Sequence, residues 1–147
     1  MTIFGAGFSP LSSSPRLGLI PIPDLTVTSG TITNAAERTF TAAELLGGFL
    51  TFDVQDAQNG NLPTAELLIA QIPGVTGTAQ STGACGFYFD IKNSGDSTLT
   101  IVAGTGGTVT GTATVITAEV RRFLMVITNG VKGSATYTCY CLQHSTF

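Results

Sequence analysis

The chain has 147 residues, of which only 10% are charged, and its mean hydropathy is +0.36. That length suffices for one domain with a core of its own, while so little charge excludes the usual surface of a free monomer. A net charge of −3 with six basic residues excludes the basic stripe that nucleic acid requires. No apolar run reaches the roughly 18 residues needed to span a bilayer. The first positive charge is Arg16 and no compact apolar stretch follows it, so a secretory signal is not expected. Synthesis in a cytosol is the simplest expectation.

Residues 1–24 differ from the rest. They hold four of the six prolines (Pro10, Pro15, Pro21 and Pro23) and a serine run from Ser12 to Ser14. Proline at that density blocks both a helix and a central strand. Ile3, Phe4, Phe8, Leu11, Leu17, Leu19 and Ile20 make the segment too apolar for a solvated tail. It reads as an extended arm, packed either along its own domain or, in the reading adopted here, onto a neighbouring molecule through those seven side chains.

Residues 25–147 read as a β domain. Leu25 to Thr33 suggests a hairpin or two short strands about Ser29-Gly30, and Glu37 to Phe40 a further short strand. Thr41-Ala-Ala-Glu44 has the capping-box spacing, which predicts a helix from Ala42 to Leu46 stopped by Gly47-Gly48. Phe49 to Val54 alternates as a strand, and Asp56 to Leu62 carries the Asn-Gly signal of a loop tip. Pro63-Thr64 opens a second helix, Ala65 to Gln71, ended by Pro73-Gly74, with a loop over Val75 to Ala84.

From Cys85 onward the period is two. Phe87, Phe89 and Ile91 alternate with Tyr88, Asp90 and Lys92; Leu99 with Ile101, and Phe123 with Met125 and Ile127, repeat the pattern. Leu124 and Val126 make the other face of their strand apolar as well, so that strand is central in a sandwich or covered by a neighbouring subunit. Turns are expected at Ser94-Gly95-Asp96, Gly104 to Gly107 and Asn129 to Gly133. The expected fold is all-β: an antiparallel β-sandwich or barrel, jelly-roll-like, with one or two short helices and an extended arm.

Residues with chemical potential are sparse. His144, the one histidine, lies near the carboxyl end, which leaves a Ser-His-Asp arrangement without support. Asp53, Asp56, Asp90 and Glu119 are candidate paired carboxylates, but there is no tryptophan to stack a sugar. Asp53, Asp56, Asn59 and Asn61 crowd one loop without the order of an EF-hand. Cys85, Cys139 and Cys141 are expected as reduced core thiols, since C-x-C within a strand is a poor zinc knuckle. The run from Gly104 to Gly111 lacks the lysine and helix of a phosphate loop and reads as a hairpin turn. Arg121-Arg122 is expected to cap or edge a strand. No catalytic, metal or cofactor site is expected, and no enzymatic activity.

TFTAAELLGGFLTFD, NGNLPTAELLIAQIPG, FYFDIKNSGDSTLTIVAGTGGTVTGTATV and RRFLMVITNGVKGSATYTCYCL, taken in order, resemble a group of small structural proteins of tailed phages and large DNA viruses. The resemblance covers Phe40 to Leu142 and leaves out the arm. It implies a capsid-associated β-sandwich: a decoration (cement) or minor capsid protein, with a fibre or spike head that binds a receptor or glycan as the alternative. The implied partners are the major capsid protein and further copies of the chain, as a homotrimer, with no nucleic acid and no membrane. The implied location is the virion, after synthesis in the host cytoplasm.

Overall fold

A computed structural model describes residues 26–32, 37–72, 75 and 85–146. The first strands are β1 (Thr26–Ile32), β2 (Arg38–Thr39), β3 (Gly48–Val54), β4 (Gln58–Asn61), β5 (Cys85–Asn93) and β6 (Leu99–Val102). They are followed by β7 (Gly107–Thr110), β8 (Thr114–Val115), β9 (Glu119–Asn129) and β10 (Thr136–Thr146). Among the described residues two short helices, α1 (Ala42–Leu46) and α2 (Ala65–Gln71), lie between β2 and β3 and between β4 and β5. One sheet has six strands in the order β1-β3-β5-β9-β10-β7, and the other has four in the order β2-β4-β6-β8.

The all-β class with two short helices is as expected from the sequence; the pairing is richer than the antiparallel pattern expected. The first six strands alternate between the sheets, and β1-β3-β5 and β2-β4-β6 run parallel within them. Each pair of parallel strands is therefore linked through a strand of the opposite sheet, which meets the need for a long crossover. Thr26 lies opposite Gly48 in one sheet and Arg38 opposite Gly60 in the other, an identical offset. Phe49 opposite Asp90 and Gln58 opposite Leu99 again share one offset, although α2 and the residues after it lengthen that turn. The winding is that of a short coil. Among the described residues only β8, β9 and β10 add antiparallel neighbours, and β7 returns parallel to β10.

Local chemistry explains the helices. The Thr41 hydroxyl accepts from the Glu44 amide at 3.2 Å, and Glu44 Oε2 accepts from the Thr41 amide at 2.8 Å. Gly48, at φ 88°, takes the left-handed position that ends α1. In α2 the Thr64 hydroxyl accepts from the Leu67 amide at 3.3 Å. Such caps contribute about 1 kcal/mol each. Between the sheets lies one core. Phe40, Phe52, Phe89, Phe123 and Tyr137 are its largest members, each at most 1% exposed.

Buried polar groups tie the layers together. Asn93, fully buried, donates from Nδ2 to the carbonyls of Ser97 (2.6 Å) and Val115 (3.0 Å) and accepts from the Gly95 amide at 2.9 Å. Tyr137 Oη donates to the Pro63 carbonyl at 3.1 Å and accepts from the Gly104 amide at 2.9 Å. Glu66 Oε1 accepts from the amides of Gly133 and Ala135, joining α2 to the turn between β9 and β10.

Several local expectations change. Leu25 to Thr33 gives the single strand β1 over its described part, Thr26–Ile32, because Gly30 lies against the Phe52 ring rather than in a turn. The Asn59-Gly60 pair belongs to β4, not to a loop tip. A Cβ on Gly60 would come within 2.7 Å of the Phe40 ring, so glycine here serves close packing. Gly104 to Gly111 is no hairpin turn, since its first residues carry the chain from β6 in one sheet to the other sheet and Gly107–Thr110 are β7 itself. Of the expected loop from Val75 to Ala84 only Val75 is described, and it is buried.

Candidate partner-binding face

The inward side chains of β5, β9 and β10 build the core, so their alternates form the outer face of the six-stranded sheet. Register sets these in rows. Tyr88 in β5 stands beside Leu124 in β9, Tyr140 in β10 and Thr110 in β7. The next row is Gly86, Val126, Thr138 and Thr108. Tyr88 is 60% exposed, Tyr140 40% and Leu142 38%, while Leu124 and Val126 are half-buried. The result is an open surface of aromatic, aliphatic and threonine side chains. On the opposite side of the same strands, Phe89 and Phe123 stack at 5.1 Å, which gives the face a stiff backing.

Charge enters only at the border. Arg122 meets Asp90 through two parallel bonds of 2.8 Å, from Nε to Oδ1 and from one terminal nitrogen to Oδ2. Asp90 holds the proton on Arg122 more firmly than usual by those hydrogen bonds and by its charge. Asp90 faces outward as expected, but neither arginine caps or edges a strand. Arg122 lies inside β9, and Arg121 is a buried member of the same strand. Arg121 donates to Glu119 Oε1 at 3.1 and 2.7 Å, and the Ile116 amide donates to Oε2 at 2.6 Å. His144 Nδ1 lies 3.2 Å from Glu119 Oε1. Both carboxylate oxygens of this fully buried glutamate are engaged, an arrangement that fixes the end of the sheet.

A groove of about 560 Å³ opens beside Tyr88, between the end of α1 (Leu46–Gly48), the end of α2 (Gln71, Ile72) and β5. A second, of about 380 Å³, lies between the helices against Pro63 and the exposed Leu67.

The residues singled out from sequence are dispersed. Ile3, Phe4, Phe8, Leu11, Leu17, Leu19 and Ile20 lie outside the described residues. Asn59 and Asn61 each donate to the Glu37 carboxylate, at 2.9 and 2.8 Å, and these bonds hold Glu37 below its ordinary range. Asp53 accepts from Gln55. The three cysteines are free thiols. Burial, reinforced by Cys141, pushes Cys139 up to about 12, and burial also raises Cys85 and Cys141. Among the described residues no group of three or more His, Cys, Asp or Glu side chains could hold a metal ion, and no helix is long and apolar enough to cross a membrane. What the sequence reading missed is that Tyr88 and Tyr140 extend the apolar face that Leu124 and Val126 begin.

Comparison with family models, curated proteins and solved structures found no match.

Proposed function

We propose that this chain is a viral structural protein that decorates or cements a capsid lattice, or serves there as a minor capsid protein. Its partners are the major capsid protein and neighbouring copies of itself, and its place is the virion. The observation that carries this reading is the apolar outer face of the six-stranded sheet, with Tyr88, Tyr140 and Leu142 open to solvent beside the half-buried Leu124. A face of that kind on a chain with so little charge is suited to lasting contact with protein rather than with water. The body behind it is fastened by Asn93, Tyr137 and the buried Glu119–Arg121 pair, as a cement that must keep its shape requires. Each contact contributes only about 25 cal/mol per Å² of apolar area before ordering costs, and repetition over a lattice multiplies it. The arm adds further contacts, and a homotrimer suits positions of local three-fold symmetry.

The test is co-sedimentation. Purified chain is mixed with particles from its source that lack it, and the bound fraction is compared with that of Leu124→Glu/Val126→Glu. Binding of the parent and at least about a tenfold loss in the variant supports the reading; equal binding by both removes the face from it.

A receptor- or glycan-binding head of a fibre or spike is the second reading. Tyr88 and Tyr140 favour it, since exposed rings on a stiff sheet can stack against a sugar. Retention on a glycan array with no affinity for particles would select it.

A further inference from the structure

Strand β5 is longer than its neighbour on one side. Its pairing with β3 runs only from Asp90 opposite Phe49 to Asn93 opposite Phe52, whereas its pairing with β9 begins at Cys85. Where β3 would continue along the first part of β5, the chain instead bends away through Gly47 into α1. Among the described residues, Cys85–Phe89 therefore have a ladder partner on the β9 side alone. This open edge forms one wall of the 560 Å³ groove, with Phe87, Tyr88 and Phe89 lining it. An unpaired strand edge beside apolar side chains is a template for an added strand.

The register shows what lies within reach. β1 starts with Thr26 opposite Gly48, and Phe49 stands opposite Asp90, so β1 begins at the level of Phe89. The lane of β3 lies one strand spacing, about 5 Å, from β1, and about two extended residues cover that distance. The residues preceding those two are Leu19-Ile20-Pro21-Ile22-Pro23. Ile20 and Ile22 alternate with Pro21 and Pro23, which places every proline on one lateral side of an extended chain and every free N–H on the other. Such a pattern suits an outermost strand bonded along one side only. The other stretch that leads directly to this edge, residues 76–84, is TGTAQSTGA, with no large apolar side chain to fill the groove.

We propose that Leu19–Pro23 of the same chain add to the open edge of β5 at Cys85–Phe89, parallel to it, taking the position that β3 leaves vacant. The seated residues anchor the arm to its own domain and leave Ile3, Phe4, Phe8 and Leu11 to reach a neighbour. This seating requires nothing of a capsid and holds for the isolated protein.

Cys85 lies at the edge and is a free, half-buried thiol, so it can report contact. In the full chain, with Cys141→Ser to remove the other half-buried thiol, a cysteine is placed in turn at Leu19, Ile20, Pro21 and Ile22, and at Leu11 as control. Under mild oxidation at least one of the four positions should link to Cys85 within one chain, about tenfold faster than the control, and migrate as a monomer. Amide exchange on the unaltered chain should show Ile20 and Ile22 protected about tenfold over Ile3 and Phe4. Equal linking at all five positions, links that appear only as covalent dimers, or no link together with unprotected Ile20 and Ile22 amides would each overturn the proposal.

Discussion

Tyr137 is the most informative single position in the body. It is 1% exposed, and its hydroxyl is bonded both to the carbonyl preceding α2 and to an amide in the link from β6 to β7. Tyr137→Phe keeps the ring and its packing but leaves the Pro63 carbonyl and the Gly104 amide without this partner. A lost hydrogen bond costs about 1 kcal/mol net, and a buried group left unsatisfied costs about 1–3 kcal/mol. The two together give an expected loss of about 2–3 kcal/mol. Urea unfolding followed by tyrosine fluorescence and circular dichroism should show a lower midpoint with an unchanged slope, and the melting temperature should fall by about 5–10 °C. Tyr140→Phe, on the exposed face, is the control and should change stability by less than about 0.5 kcal/mol. If Tyr137→Phe matches that control, the hydroxyl does not tie α2 and the β6–β7 link to β10, and the staple is refuted.

Glu119→Ala leaves the Arg121 guanidinium, 7% exposed, without its carboxylate and should cost about 3–5 kcal/mol in the same unfolding assay. Glu119→Met with Arg121→Met should cost distinctly less, because no lone charge stays buried. Burial pushes both Tyr137 and Cys139 up to about 12. These groups are neutral when protonated, so their stabilisation is complete below about pH 8.5 and is lost as the pH rises towards the folded values. Stability measured at pH 10.5 should be about 2 kcal/mol below that at pH 8; a flat profile would contradict their burial. Native alkylation at pH 8 should label Cys85 and Cys141 well before Cys139, as peptide mapping would show.

The helices were legible because their signals are local. Thr41 with Glu44, and Pro63 with Thr64, define helix starts whatever the rest of the chain does. Strand faces were legible for the same reason, as in Leu50-Phe52-Val54 and Phe123-Met125-Ile127, all buried. Pairing direction was not, since alternation with period two is identical in parallel and antiparallel strands. The coil of β1 to β6 depends on which sheet each strand joins, and no residue type records that. Gly30 and Gly60 misled because glycine marks a close approach as readily as a turn; both lie beside phenylalanine rings. Tyr88 was grouped with Asp90 and Lys92 on the outer side of its strand, although an exposed tyrosine presents mostly ring. Arg121 was misplaced because a buried arginine needs Glu119 two residues away on the same face, a spacing that solvated pairs share.

The capsid reading is tested most directly by counting. Particles from the source are purified on a gradient, and this chain is quantified against the major coat protein with isotope-labelled peptides. A fixed ratio corresponding to hundreds of copies per particle is the predicted result, and complete absence from the particles would contradict it.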